Sequence, residues 1–345
     1  MPRPRVVLDV QGGDRGPAEV IAGGIKASSA FDVEVIFAGD QGVILGEMGR
    51  WAKKRFKKKH EILHAPETVT MDDVPTQAVR KKKESSLVKG IEYVRAGKAS
   101  AFVSPANTGA VMAASLFNLG RIKGIARPGL AAVIPTVKGK NVLIIDVGAN
   151  VDCEPENLKE FAIMGKVYAQ AILGVANPKI GLLNIGAEKM KGNDLALKTF
   201  YLLEQLGDFH GNVEGNTILE GEVDVVVCDG FAGNVLLKAF EGGAAATVEF
   251  MKSAIAKDIL ASLGAVVLYP ALKKFKRKIS AAQFGGAPLL GVRNVVIVAH
   301  GNSDAEAIKS AIRVAVESVQ QDLIDKIELG LSAHAQHLTT KEVTT

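Results

Sequence analysis

Apolar runs the length of one β-strand recur along the chain, and each is followed by a glycine-containing polar segment and a stretch with helical spacing. The runs are continuous rather than alternating, which is typical of strands buried on both faces of a mostly parallel sheet. Repeated strand, loop and helix units predict a doubly wound α/β fold, in which helices cover a mostly parallel sheet. Strands are predicted at 5–9, 33–39, 101–104, 141–146, 180–185, 224–229 and 294–300.

The domain organisation follows from the lack of any low-complexity linker. A length of 345 residues allows roughly two domains of about 150 residues, but one large α/β domain fits equally well. We therefore predict a single domain over 1–335 and a polar tail over 336–345, with loose chain from about Leu331.

The segment 251–280 is predicted to be a helical hairpin outside the sheet. Ile255, Ile259 and Leu263 follow helical spacing, and Pro270 ends that helix or begins another. Between the two helices "LGAVVLYP" makes an apolar turn, and lysines crowd the chain after it. Such a tip either packs against a partner subunit or enters a membrane surface whose anionic headgroups meet the lysines.

Polar residues follow six of the predicted strands, in "DVQGGDRGP", "SPANTG", "DVGANVD", "IGAEKMKGND", "CDGFAGN" and "AHGNSDAE". One such loop is explained by turn chemistry, since Gly and Asn tolerate left-handed backbone. Six of them, delivered to one edge of a parallel sheet, predict a ligand site in a single crevice. In "SPANTG" a hydroxyl, an amide and a helix start coincide, which favours an anion.

Composition narrows the classes of protein. Cys153 and Cys228 are the two cysteines, which excludes a disulfide scaffold and favours a reducing cytoplasm. No apolar run approaches the roughly 18 residues of a membrane span, and the early carboxylate of Asp9 argues against a signal peptide. Nucleotide, nicotinamide and zinc-hydrolase motifs are missing, so no cofactor or metal is expected. A polar crevice without an obvious nucleophile suits a substrate that is itself a nucleophile, such as inorganic phosphate.

The net charge of +5 is clustered at 53–59, 80–83 and 273–278. Each cluster is explained by a solvated helix face. The functional alternatives are an acidic carrier protein, anionic lipid or nucleic acid, and nucleic acid ranks last because no zinc spacing or stacking-aromatic motif accompanies the charge.

Ordered motifs along nearly the whole chain resemble those of the bacterial phosphate acyltransferases. They are "GGDRGP" at 12–17, "SPANTGAVMA" at 104–113, "GIARPGLA" at 124–131, "DVGANVDCEPENL" at 146–158, "IGAEKMKGND" at 185–194, "GNVEG" at 211–215, "DVVVCDGFAGNVLLK" at 224–238, "FGGAPLLGV" at 284–292 and "AHGNSDAEAI" at 299–308. The resemblance implies a Rossmann-like three-layer α/β/α fold akin to that of small-molecule phosphotransacetylases, and it implies a homodimer. It also implies transfer of a fatty acyl group from acyl carrier protein to inorganic phosphate, at the entry to phospholipid synthesis.

Two residues are expected to act on the reacting groups. Lys191 stands just beyond a predicted strand and would meet phosphate and the oxyanion as a point charge. Asn234 stands at a predicted helix N-cap, where it either caps the helix or donates its amide to the thioester oxygen. Further candidates for binding phosphate or substrate are Gly12, Gly13, Asp14, Ser104, Asn107, Thr108, Gly109, Asn193, Asp229, His300 and Ser303.

The expected partners are acyl carrier protein, inorganic phosphate, a second subunit and an anionic membrane surface, without nucleic acid. Val266, Val267, Leu268 and Phe275 are the candidate membrane-surface residues. The expected location is the cytoplasm, peripheral to the inner face of the cell membrane. Two alternatives stay open, a short-chain acyl-CoA phosphotransacetylase and a non-catalytic scaffold that recruits acyl carrier protein to the membrane.

Overall fold

The computed structural model describes residues 3–52, 60–256 and 285–342, together with 264, 268–270 and 273, and in these residues one eleven-stranded sheet is covered by helices on both faces. The strands are β1 Arg5–Asp9, β2 Glu34–Gly39, β3 Glu61–His64, β4 Ala101–Ser104, β5 Gly129–Pro135, β6 Asn141–Ile145, β7 Ile180–Asn184, β8 Phe209–Glu214, β9 Val225–Val227, β10 Ala287–Leu290 and β11 Val295–Val298. The helices are α1 Pro17–Ala30, α2 Gln41–Ala52, α3 Pro75–Lys81, α4 Ser86–Arg95, α5 Thr108–Asn118, α6 Pro155–Ala171, α7 Asp194–Leu203, α8 Gly230–Ala256, α9 Ala305–Gln320 and α10 Leu323–Glu342. The α/β fold expected from the sequence is confirmed.

The strands lie in the order β3-β2-β1-β4-β11-β10-β5-β6-β9-β7-β8. The first five are mutually parallel, and so are the last four. Strands β10 and β5, between these two blocks, pair antiparallel with each other and with their outer neighbours β11 and β6. Three antiparallel steps in a row reverse the direction, so the two parallel blocks run in opposite senses.

This reversal corrects the expectation that six polar loops share one sheet edge. The loops after β1, β4 and β11 leave one edge, whereas the loops after β6, β7 and β9 leave the other. The prediction was wrong because it assigned all six of the preceding strands to a single parallel block of a mostly parallel sheet. It missed β5 and β10, which carry the change of direction.

All seven predicted strands occur. Two of them have the predicted ends, and the ends of the other five differ by at most two residues. Four strands were not predicted, namely β3, β5, β8 and β10. Of these, β3 and β8 are the two edge strands of the described sheet, and they lack the fully buried pattern of a central strand. The other two are the antiparallel ones, and β10 is only four residues long.

Apolar residues pack on both faces of the sheet. On one face α4 and α5 and the partly buried side of α8 cover residues such as Phe102 and Ile144. On the other face α1 and α9 pack on the first parallel block, and α6, α7 and α10 pack on the second. The face that carries α5 and α8 is the one on which the candidate site lies.

The C-terminal segment is helical where it is described, because α10 runs from Leu323 to Glu342. Ile327 in this helix is fully buried, and Leu331 packs on the same cluster, which also includes residues of α6. The chain after Leu331 is therefore helical as far as Glu342, and the polar tail over 336–345 stays a prediction.

The predicted hairpin at 251–280 lies mostly outside the described residues, and so do Val266, Val267 and Phe275. Helix α8 extends into it as far as Ala256. Leu268 and Tyr269 are exposed, and the Lys273 ammonium lies 6.0 Å from the centre of the Tyr269 ring. In the part of the chain that the structure describes, no helix is long and apolar enough to cross a membrane.

Candidate active site

A cavity of about 260 Å³ with a mixed polar and apolar lining lies between the first turn of α5 and the first turns of α8, over strands β5, β10 and β11. We call it the Asn234 pocket. Its lining residues are Thr108, Leu130, Ala132, Val147, Gly148, Asn234, Leu237, Lys238, Glu241, Gly286, Ala287, Val298, Ala299 and His300. The pocket therefore joins groups from both parallel blocks, although their loops leave opposite edges.

Helix α5 begins at the pocket because Asn107 caps it. The Asn107 Oδ1 accepts a hydrogen bond from Ala110 N at 3.2 Å, and its Nδ2 donates to the Met71 carbonyl at 3.0 Å. The backbone amides of Thr108 and Gly109 precede the first intrahelical hydrogen bonds, so they remain available for an anion. Behind them the small residues Ala110 and Ala114 are fully buried, so the helix lies close to its neighbours.

The ends of β1 and β4 are joined by a buried hydrogen bond. Ser104 Oγ donates to Asp9 Oδ2 at 2.7 Å and accepts from Ala106 N at 3.1 Å. Gly12 passes so close that a Cβ there would lie 2.6 Å from that of Ala106. The Ser104 hydroxyl is thus engaged in positioning the loop rather than directed to a ligand, and Gly12 permits the close approach.

The loop after β11 packs on the loop after β1. Asp14 N donates to Gly301 O at 2.8 Å, and a Cβ on Gly13 would lie 3.3 Å from the same oxygen. His300 lines the Asn234 pocket, and its Nδ1 accepts from Asn302 N at 3.1 Å. A neutral His300 ring therefore carries its proton on Nε2, where it is able to donate to an anion. Ser303 is buried behind this turn, and its hydroxyl has no partner among the described residues.

The loop after β6 is organised by Asp146, which is fully buried. Its two carboxylate oxygens accept hydrogen bonds from the backbone amides of Leu130, Gly148, Ala149 and Asn150, and from Asn150 Nδ2, at 2.7–3.0 Å. Burial raises the pKa of Asp146, and these donors oppose that shift. The clamp positions Gly148 beside Asn234, whose Nδ2 would lie 3.4 Å from a Cβ at Gly148.

Helix α8 is capped by Asp229, not by Asn234. Asp229 Oδ1 accepts from Ala232 N at 2.8 Å, and Gly230 N donates to Asn150 O at 2.7 Å. Asn234 lies one turn inside the helix, is half-buried, and its side chain makes no hydrogen bond with a described residue. The capping alternative for Asn234 is therefore excluded, and its amide is available to a ligand in the pocket.

Lys191 lies in the loop after β7 and is not one of the lining residues of the Asn234 pocket. Asn184 Nδ2 donates to Lys191 O at 2.9 Å, and Asn193 caps α7 by accepting from Ala196 N at 2.9 Å. Lys191 is exposed, and its ammonium has no ion pair with a described residue. Asn193 and Asp229 line a second cavity of about 420 Å³ with Gly192 and Ala232.

These two cavities flank opposite sides of the start of α8. Ala232 and Asn234 are two positions apart, which corresponds to about 200° around a helix. The structure thus brings Asn234, Thr108 and His300 to one cavity, and Asp229 and Asn193 to another. It places Lys191 in the lining of neither.

Both cysteines are disfavoured as nucleophiles. Cys228 is buried at the end of β9, and burial raises the pKa of its thiol well above the ordinary value. Cys153 is half-buried, and burial together with the Asp146 charge raises its pKa to about 12. Thiolate is the reactive form, so both thiols are inert near neutral pH.

The sequence alone did not identify Lys238 and Glu241 as pocket residues. Both line the Asn234 pocket, at the fourth and seventh positions after Asn234. The signal was present in the helical spacing, because residues three, four and seven positions apart share one helix face. Among the described residues, no cluster of three or more His, Cys, Asp or Glu side chains is arranged to hold a metal ion.

Comparison with known proteins identifies the family. A family model described as fatty acid synthesis protein matches residues 4–326. A phosphate acyltransferase from Pelotomaculum thermopropionicum is 47% identical over 330 residues, which cover 95% of each chain. The chain belongs to the phosphate acyltransferase family. A second member, from Halothermothrix orenii, is 46% identical over 328 residues, covering 94% of this chain and 97% of the relative.

The fold also resembles that of phosphotransacetylases. The crystal structure of a phosphotransacetylase from Streptococcus pyogenes superimposes with a TM-score of 0.61 at 15% identity, over 94% of each chain. At this identity the similarity concerns the fold alone. It confirms the fold that the sequence motifs implied for this member of the phosphate acyltransferase family.

Proposed function

We propose that the protein transfers a fatty acyl group from the thioester of an acyl carrier protein to inorganic phosphate, which yields an acyl phosphate for phospholipid synthesis. The observation that carries the proposal is the composition of the Asn234 pocket. The first turn of α5, the His300 ring and the Lys238 side chain line it together with apolar strand residues, and the free amide of Asn234 lies among them. Such a cavity suits both an anion and an acyl group.

The reaction requires little acid or base help. A phosphate oxygen forms a bond to the thioester carbon, the carbonyl becomes an oxyanion, and the carbon–sulfur bond then breaks with its electron pair on sulfur. Phosphate is already anionic, and a thiol with a pKa of about 8.5 leaves as the thiolate. What the protein supplies is oxyanion stabilisation, about 3–4 kcal/mol for a good donor, and alignment of the reactants, about 7–11 kcal/mol.

We assign phosphate to the first turn of α5 and to His300, and the thioester oxygen to Asn234. Backbone amides at a helix start bind an anion without hiding all of its oxygens. Lys191 is proposed as the cation that meets the developing charge. The family motif around Lys191 supports this role. The Lys191 ammonium also makes no ion pair with a described residue, so it is available to a ligand. Lys238 lines the pocket itself and is the rival cation.

The deciding experiment measures phosphate-dependent loss of a long-chain acyl-carrier-protein thioester, with acyl phosphate trapped as the hydroxamate. We expect rapid turnover with the carrier-protein donor and slow turnover with acetyl-CoA. Faster turnover with acetyl-CoA would establish the short-chain phosphotransacetylase instead. Carrier-protein binding without any turnover would establish the scaffold.

The proposed setting is a homodimer at the cytoplasmic face of the membrane, bound to acyl carrier protein. Exposed Phe231, Val235 and Phe250 along α8 support contact with another surface. Exposed Leu268 and Tyr269, with Lys273 beside them, support a contact with anionic lipid. Analytical ultracentrifugation tests the dimer, and sedimentation with anionic liposomes tests the membrane contact.

A further inference from the structure

A third cavity, on the same face of the sheet, adjoins the Asn234 pocket. It has a volume of about 200 Å³ and a lining that is almost wholly apolar, and we call it the apolar pocket. Its lining residues are Ile134, Ile144, Gly215, Ile218, Leu219, Leu236, Leu237, Ala239 and Phe240. Leu237 lines both cavities, so they adjoin one another.

Two elements run from one cavity into the other. On β5, Leu130 and Ala132 line the Asn234 pocket and Ile134 lines the apolar pocket. Alternate residues of a strand share one face, so these three form a continuous floor that advances by about 6.6 Å for each pair. On α8, Asn234 lies about 4.5 Å along the axis before Leu237 and about 9 Å before Phe240.

Helix α8 leaves this apolar surface incompletely filled. Gly230 and Gly233 are the buried residues of the described α8, whereas Leu236, Leu237 and Phe240 are only partly buried against the core. The aliphatic and aromatic walls of this cavity are only half covered. Binding of an apolar ligand that displaces water from such walls is favourable, because it removes apolar surface from water.

We propose that the apolar pocket binds the hydrocarbon chain of the acyl substrate, with Leu237 at the passage between the reacting thioester and the chain. The inference rests on the proposed function, because it assigns the thioester carbon to the Asn234 pocket. A chain attached to that carbon follows β5 and α8 into the neighbouring cavity. The wall residues at 215 and 239 then set the chain length that the protein accepts.

The test fills the apolar pocket from two sides. In Gly215→Leu the new side chain starts toward Leu236, since a Cβ at Gly215 lies 3.5 Å from Leu236 Cδ1, an ordinary contact. In Ala239→Trp the bulk enters from α8. Matched controls are Gly243→Leu, where a Cβ meets open space, and Ala245→Trp, which is exposed on the same helix.

The measurement is kcat/KM for carrier-protein donors with acyl chains of four and sixteen carbons. We expect the ratio of long-chain to short-chain kcat/KM to fall at least tenfold in both filled variants and to stay within twofold of wild type in both controls. Binding of a fluorescent long-chain fatty acid, measured without phosphate, should weaken in the same two variants.

Two results would overturn the inference. An unchanged chain-length ratio in both filled variants would show that the chain lies elsewhere. An equal loss with all donors, together with dissociation of an oligomer in the ultracentrifuge, would show that a second copy of the chain occupies the pocket. If wild type itself turns over neither donor, the proposed function fails, and the fatty-acid binding measurement still decides whether the pocket takes a hydrocarbon chain.

Discussion

Gly233 lies against the carbonyl oxygen of Asp146, so closely that a Cβ on Gly233 would be 1.9 Å from that oxygen. This contact seats the first turn of α8 on the loop after β6. Through it, the amide of Asn234 acquires its position beside Gly148. The geometry of the Asn234 pocket therefore depends on a residue that has no side chain.

Gly233→Ala should move α8 and damage both stability and activity. The added methyl group meets backbone rather than a flexible side chain, so helix and loop must separate, at a cost typical of overpacking, about 1–3 kcal/mol. Thermal denaturation should show a lower Tm, and acyl transfer should fall more than tenfold. The control Gly242→Ala, where a Cβ meets open space, should raise the Tm because alanine favours the helix by up to about 1 kcal/mol. A Gly233→Ala protein with normal turnover would refute the role of this contact.

Lys191→Ala and Asn234→Ala should each lower the rate of acyl transfer at least 100-fold and leave the Tm nearly unchanged. Neither side chain makes a hydrogen bond or ion pair with a described residue, so its removal leaves no buried partner unsatisfied. Lys189→Ala is the matched control. Lys189 lies in the same loop as Lys191, but its ammonium forms an ion pair with Glu204 at 2.8 Å. That variant should retain its turnover.

The rival cation is tested in the same assay. Lys238→Ala should cost less than Lys191→Ala if Lys191 meets the developing charge. The reverse order would transfer that role to Lys238, which lines the pocket. Near-normal turnover in the Asn234→Ala variant would remove Asn234 from the mechanism.

Neither cysteine should form an acyl-enzyme. Cys153→Ala and Cys228→Ala should retain acyl transfer, and mass spectrometry of quenched turnover should find no acyl-cysteine. Detection of acyl-Cys228 in wild type would contradict this prediction.

The raised thiol pKa values also predict a pH dependence of stability. An unfolded chain loses its thiol protons near pH 9, whereas the folded protein keeps that of Cys153 until about 12. The unfolded state then binds fewer protons, so the free energy of unfolding should fall as the pH rises above about 9. A variant that carries both Cys153→Ala and Cys228→Ala should lose this part of the decline in the free energy of unfolding.

Val267→Glu combined with Leu268→Glu should abolish sedimentation with anionic liposomes while acyl transfer in solution persists. Leu268 is exposed. Anionic headgroups attract nearby lysines but repel a carboxylate at this position. The control is the same assay with neutral liposomes, where wild type should bind weakly. If the double variant sediments as well as wild type, the membrane assignment is wrong. The alternative is then that the apolar turn "LGAVVLYP" packs against a partner subunit.

The sequence by itself determined the α/β class, seven of the strands and the identity of the family. Central strands such as β1 and β4 were predictable because burial on both faces requires a continuous apolar run, which is a local property. The coincidence of a hydroxyl, an amide and a helix start in "SPANTG" was likewise predictable, because these residues are neighbours in the sequence. The ordered glycine and asparagine loops carried the family resemblance.

Only the tertiary structure decided which loops meet. The apolar pattern of a strand does not encode its direction relative to its neighbours. The antiparallel pairing of β5 and β10 could therefore not be predicted, and neither could the separation of the polar loops into two groups. Asp229 rather than Asn234 caps α8 because Asn150 and Asp146, some eighty positions earlier, fix where that helix begins. The apolar pocket likewise exists because α8, β5 and β6 approach one another across the sheet face. A cavity is a relation between distant segments, and no single stretch of sequence contains it.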